Sequence, residues 1–296
     1  MSDKSLIGVD LKPVAEVANN IIDKFAQAIG YVMTPRGTKK DMEIAVEAYI
    51  KEIQEDSSLS PMEKAIKSGN ARKEIKEYIN LQDILQHAQE FGKEYENNDG
   101  DELDEDWTMF FYDKAKNVSY EDAKILWGRI LAEECNSKGS IPKQLMHILS
   151  VMNKNDAEAF QNVCSFIVNR LNSDGSIGQG ELLIGSGDIS NDILYQSGLS
   201  YQALNELQAL GLIMVNAIDN RLILEGSNIE NGTVGYKYHQ HLIRVEKLRK
   251  QFPVGYVLLT RTGIILSGLI VKKELPSFLK YIKSYYEEQG FTVTVD

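Results

Sequence analysis

The sequence predicts an α+β protein that is mainly α, and three observations carry that reading. Apolar residues recur at helical spacing through most of the first 170 positions, the chain turns glycine-rich after Leu171, and short strand-like segments separated by turn residues follow. The expected organisation is a set of amphipathic and charged helices over 1–96, a helical bundle over 104–171, and a winged-helix-like α+β region over 172–296.

Composition narrows the function classes. At 296 residues, with 43% hydrophobic and 25% charged residues, the chain has the make-up of globular protein and length for about two domains. Its formal net charge of −11 repels phosphates at long range and so opposes indiscriminate binding to nucleic acid or anionic lipid. The two cysteines, Cys135 and Cys164, lie far apart and outside any CxxC spacing, which fits two small buried hydrophobes in a reducing cytoplasm. Residues 1–30 carry no basic n-region followed by an apolar run, and no stretch approaches the roughly 20 apolar residues that span a bilayer. The expectation is a cytoplasmic protein with no integral membrane segment.

The elements follow in order. Val14, Val17, Ala18, Ile21, Ile22, Phe25, Ala28 and Ile29 form one apolar face, predicting a helix over 13–30 that packs on another helix of this chain or of a second copy. Its polar face lacks the Lys and Arg of a membrane-surface helix. The Thr34-Pro35-Arg36-Gly37 turn ends it. Long charged helix covers 38–96, with a break at Ser57 to Pro61 and a stripe of Tyr78, Leu81, Leu85 and Ala88 that is too short to establish a coiled coil. Between Glu94 and Asp122 eleven acids face only Lys114 and Lys116, predicting an extended solvated loop near 97–105. The acids do not stand in the register of a calcium loop.

Trp107, Phe110 and Phe111 sit at i, i+3 and i+4 and anchor a helix in a core. Ser119 is the expected cap of a helix over 120–135 whose buried stripe is Ala123, Leu126, Trp127, Ile130 and Leu131. Pro142 opens a helix to about Met152, and Asn155 is the expected cap of another presenting Phe160, Val163, Cys164, Ile167 and Val168. Arg129 and Glu133 lie one turn apart and read as a surface ion pair.

The residues Asp106, Trp107, Phe110 and Phe111, the run LWGRILAEE at 126–134, GSIPKQLMHIL at 139–149 and DAEAF at 156–160 resemble a bacterial family, domain of unknown function 2806. The resemblance is clearest over 104–166. Its motif residues here are Asp106, Trp107, Phe110, Leu126, Trp127, Arg129 and Glu134, and it implies no chemistry. The N-terminal helix with its Pro-Arg turn is similar to the abortive-infection alpha family, which implies a link to phage defence.

Beyond Leu171, the stretch NSDGSIGQGELLIGSGD reads as turns around a short strand, without the signature of a phosphate-binding loop or dinucleotide fold. A short helix at 188–196, a helix from Ser200 to Leu210 ended by Gly211, and strands 212–218 and 221–225 joined at Asp219-Asn220 give the winged-helix expectation. A strand near 254–260, a helix from Pro276 to Gln289 and a terminal strand follow.

The helix of that unit that would read DNA, SYQALNELQALG, has no Lys or Arg and carries Glu206. Basic residues concentrate later. Over 236–283 ten of them, including Lys237, Arg244, Lys247, Arg249, Lys250, Lys272 and Lys273, face Glu246 and Glu274, leaving the rest of the chain at −19. A chain so divided pairs its acidic part with its basic part, internally or between copies; the second option is contact with phosphates. His239 and His241 would share one strand face, but two ligands are short of a metal set. No cofactor motif, metal centre or catalytic constellation stands out. Two readings remain: a non-catalytic interaction or scaffold protein with a protein partner or homo-oligomer, or a nucleic-acid-binding regulator using 236–283.

Overall fold

The computed structural model describes residues 25, 39–92, 103–172, 174–182, 197–215, 221–222, 232–246, 252–253 and 257–296. The fold is mainly α with some β, as the sequence predicts, and divides into two compact units, Met1–His147 and Ile148–Asp296. The predicted helix over 13–30 apart from Phe25, the turn at 34–37, the acidic stretch through residue 102 and the helix at 188–196 lie outside the described residues. Among those described, no helix is long and apolar enough to cross a membrane.

In the first unit α1 (Lys39–Glu55) and α2 (Pro61–Gly92) flank the predicted break. Pro61 stands at the first helical position of α2, where its missing N–H costs nothing, and Ser60 and Glu63 cap reciprocally. Val46 and Ile50 of α1 pack on Ala71, Ile75 and Ile79 of α2. Further along α2, Leu81, Leu85 and Ala88 are fully buried and Tyr78 half-buried, so the stripe read from the sequence belongs to this unit's own core.

That stripe meets α4 (Glu121–Asn136), and Gly128 makes the approach close. A Cβ built there would lie 2.6 Å from His87 Cβ and 2.9 Å from the Ala88 nitrogen, so only glycine fits. α3 (Glu105–Ala115) is capped by Asp104, whose carboxylate accepts from the Trp107 N–H. Helix thus begins at the acidic residue Glu105, inside the span expected to be loop. α4 starts after Tyr120 with no side-chain cap, so Ser119 does not cap it. α5 (Lys143–Val151) follows Pro142 as expected.

The second unit opens with α6 (Lys154–Cys164), capped by Asn153 and not by Asn155. The register decides it: Asp156 lies three residues after Asn153 and reaches back to its N–H. α6 stops at Cys164, and Ile167 and Val168, expected on its face, instead open strand β1 (Ile167–Leu171). Two adjacent β-branched residues satisfy either period, and pairing decides between them.

Strand β1 joins β2 (Ile177–Leu182), β5 (Thr233–Tyr238), β6 (His241–Glu246) and β9 (Thr292–Val295) in an antiparallel sheet of order β2-β1-β5-β6-β9. The expected terminal strand forms, as β9 at the edge of this sheet.

α7 (Tyr201–Ala209) is capped by Ser200 and followed by Gly211 at φ 77°. The strands after it, β3 (Ile213–Val215) and β4 (Arg221–Leu222), were expected to pair with each other. Among the described residues β3 pairs with β8 (Val257–Leu259) and β4 with β7 (Phe252–Pro253), chain that returns after the β5–β6 hairpin, while the residues of the expected β3–β4 turn lie outside the described ones. α8 (Arg261–Leu269) and α9 (Pro276–Glu288) complete the unit. Phe278, Ile282 and Tyr286 of α9 are buried, with Phe278 edge-on to Phe166 at 5.2 Å and tilted on Tyr238 at 4.8 Å.

Candidate functional site

The motif residues face inward. Trp107 stacks on Phe111 at 5.3 Å, Phe111 meets Trp127 edge-on at 5.3 Å, and the buried ring of Phe25 abuts Phe111 at 5.7 Å. The Trp107 indole N–H donates to the Ile141 carbonyl at 2.7 Å. Glu134, 2% exposed, accepts from the N–H groups of Gly139 at 2.7 Å and Ile141 at 2.8 Å. The loop between α4 and α5 is therefore held through both backbone groups of Ile141. Burial pushes the Glu134 carboxyl above its usual range, against the lowering effect of the two N–H donors and of Ser140, while the charge of Asp104 adds to the rise.

The remaining motif residues also have packing roles or lie on the surface. Leu126 is half-buried, Phe110 lies under the Lys114 ammonium at 5.4 Å, and the Arg129 guanidinium sits 5.7 Å from the Phe91 ring centre. Asp106 is exposed in the first turn of α3, and the cap is Asp104 beside it. Sequence reasoning missed two further groups. Lys124, on the inner side of α4, pairs with Asp83 at 2.5 Å, and Asn80 donates from α2 to the Lys116 carbonyl at 3.0 Å.

Groups with chemical potential are quiet. The Cys164 thiol is pushed up to about 12 by burial, a neutral state at physiological pH despite the charge of Lys272. Lys272, half-buried near it, is lowered by burial. His239 and His241 do not share a strand face: His239 occupies the turn of the β5–β6 hairpin at φ 50°, and His241 begins β6 and points to Glu274 at 3.3 Å. Among the described residues no three His, Cys, Asp or Glu side chains gather as a metal set.

The described members of the predicted basic set are dispersed. On β5, Val234, Tyr236 and Tyr238 point into the core beneath α9, so alternation turns Lys237 to the opposite face of the sheet. Arg244, paired across from Gly235, lies on that outer face too. Lys272 and Lys273 lie between α8 and α9, and Lys280 and Lys283 on the solvent side of α9. Lys247, Arg249 and Lys250 lie outside the described residues.

What the outer face does collect is apolar. Leu171 lies over Gly235, whose Cβ position would be 3.2 Å from a Leu171 methyl. Ile177, 55% exposed, pairs with Leu171, and Leu242, 46% exposed, pairs with Lys237. Apolar side chains thus reach solvent at two places on this face, Ile177 beside Leu171 on β2–β1 and Leu242 beside Lys237 on β5–β6, a mixed surface suited to protein contact.

A family model described as Protein of unknown function (DUF2806) matches residues 66–283. No curated protein and no solved structure matches the chain.

Proposed function

Starting from the fact that the chain belongs to the DUF2806 family, whose description supplies no chemistry, we propose that it is a non-catalytic interaction protein that contacts its partner through the outer face of the β2-β1-β5-β6-β9 sheet. The observation that carries this reading is the contrast between the two faces. One is filled by Tyr236, Tyr238, Ile243 and Val245, while the other leaves Leu242 in solvent beside Lys237 and Arg244, and Ile177 in solvent at the β2 edge.

Charge selects the partner. A surface of this kind fits an acidic, partly apolar one, and the chain itself carries −19 outside residues 236–283. In the first unit Asp104, Glu105, Asp106, Asp113, Glu121 and Asp122 are all exposed. A second copy therefore offers a complementary acidic surface, and the homo-oligomer is the form proposed. The link to phage defence rests on the N-terminal similarity alone.

Two placements weigh against nucleic acid. The sheet's tyrosines at 236 and 238 point inward, so among the described residues its outer face shows no aromatic platform for stacking bases. On α7 the exposed Gln202 amide is tied to Glu206 at 2.9 Å, and no cation accompanies it.

The experiment is sedimentation of the full chain across concentration and salt, with duplex DNA added in a parallel series. Self-association weakened by salt and by Leu242→Asp supports the reading. A monomer that binds DNA steeply with falling salt replaces it with the nucleic-acid one.

A further inference from the structure

We propose that the first unit holds an anion site for a phosphate-bearing small molecule, in the cleft between α2 and the turn that follows α3. The site is independent of the sheet surface described above. The cleft has a volume of about 160 Å³ and is lined by Lys73, Lys76, Glu77, Asn80, Lys116 and Asn117. Three lysines and Glu77 line it, with Asp113 3.5 Å from the Lys116 ammonium, a net positive lining in a chain of net charge −11.

The framework is fixed while the cations are not. Asn80, 5% exposed, donates to the Lys116 carbonyl at 3.0 Å and pins the turn to the helix, and Asn117 donates to the Asp113 carbonyl at 3.0 Å. Lys73 stands 3.6 Å from Glu77 and Lys116 3.5 Å from Asp113, beyond the ~2.7–2.9 Å of a charge-assisted hydrogen bond. Lys76 faces the cleft with no carboxylate paired to it among the described residues. Lys76 is thus open to an incoming anion, and Lys73 and Lys116 reach it by giving up long contacts with Glu77 and Asp113.

The ligand class follows from the donors. No arginine is present to grip a planar carboxylate with two parallel bonds, whereas several point charges with rotatable N–H donors suit the tetrahedral oxygens of a phosphate dianion. Nothing in the sequence flags the site: its lysines sit 3 and 40 residues from one another on charged helix and turn, and only the fold brings them together.

Calorimetric titration of the full chain with inorganic phosphate and, separately, with a nucleoside 5′-monophosphate tests it. The expected result is one saturable site, weakened about tenfold by Lys76→Glu, the scale of one charge-assisted contact. Glu77→Gln tightens it, because it removes the repelling carboxylate and releases Lys73, and Lys280→Glu leaves it unchanged. Equal affinity for both probes assigns recognition to the phosphate alone, and tighter nucleotide binding adds contacts from the rest of the ligand; either supports the site. No saturable binding of either probe, or binding indifferent to Lys76→Glu and Glu77→Gln, overturns it.

Discussion

The Lys124 ammonium lies 2.5 Å from the Asp83 carboxylate, a cross-link between α4 and α2 in which the lysine side chain is only 6% exposed and the aspartate 30%. A lysine so placed keeps its charge only because a partner meets it.

Replacing Lys124 with Met leaves Asp83 without its partner and is expected to cost about 2 kcal/mol, below the ~3–5 of a fully buried broken pair because Asp83 keeps partial contact with water. Adding Asp83→Leu to Lys124→Met recovers most of the loss, since both desolvated charges are then gone. Urea unfolding of the single and double variants gives the two values, and a double variant no better than the single one contradicts the account.

Gly128→Ala tests the helix crossing. Intrinsic propensity favours Ala in a helix by about 1 kcal/mol, yet the added carbon would meet His87 Cβ at 2.6 Å and the Ala88 nitrogen at 2.9 Å. The crossing must open, so a net destabilisation of about 1–3 kcal/mol is expected. A rise in melting temperature would show that the two helices do not touch there.

Glu134 gives stability a pH signature. Its folded-state carboxyl is raised above the ordinary 4.5, so its contribution is fully present below that value and is lost as pH rises through the raised one. Glu134→Gln removes the titration and sets an amide N–H against one of the two backbone donors. The stability advantage of the natural chain over this variant is therefore expected to shrink as pH rises from 4.5 through the raised value, measured by denaturant unfolding at each pH. An advantage that grows with pH would mean that the loop's N–H donors outweigh burial.

Cys164 should resist alkylation in the folded protein. With its thiol pushed up to about 12 and its side chain fully buried, the thiolate fraction near neutral pH is negligible. Mass spectrometry after iodoacetamide treatment is expected to show modification of Cys164 only in denaturant. Rapid labelling of the native chain would require an opening of the α6 end of the second unit.

Much of the helical part was legible because its periodicity is strong. Leu81, Leu85 and Ala88, like Trp127, Ile130 and Leu131, fall on stripes that the structure buries. The pattern also held an unread signal: Lys124 and Glu134 sit three residues before and seven after Trp127, on the stripe itself, where a charge demands a partner or a backbone to hold. The partners were not legible, because Asp83 reaches Lys124 only through helices packed across 41 residues, and Ile141 reaches Glu134 only through the fold of the loop after α4. In the second unit, β3 and β4 were recognisable as strands, but their described partners β7 and β8 return some 30 and some 44 residues later, which local turn chemistry does not encode. The basic residues of 236–283 formed one patch in sequence, and among the described ones strand alternation and helix α9 send Lys237 and Lys280 to different sides.

The most direct measurement for the central claim is sedimentation equilibrium of the full chain beside Leu242→Asp, at low and at high salt. The account predicts concentration-dependent association of the natural chain that salt weakens and the substitution abolishes, with the variant folded as judged by circular dichroism. A chain that stays monomeric throughout, or a Leu242→Asp variant that associates as the natural chain does, would contradict a self-association role for the outer face of the sheet.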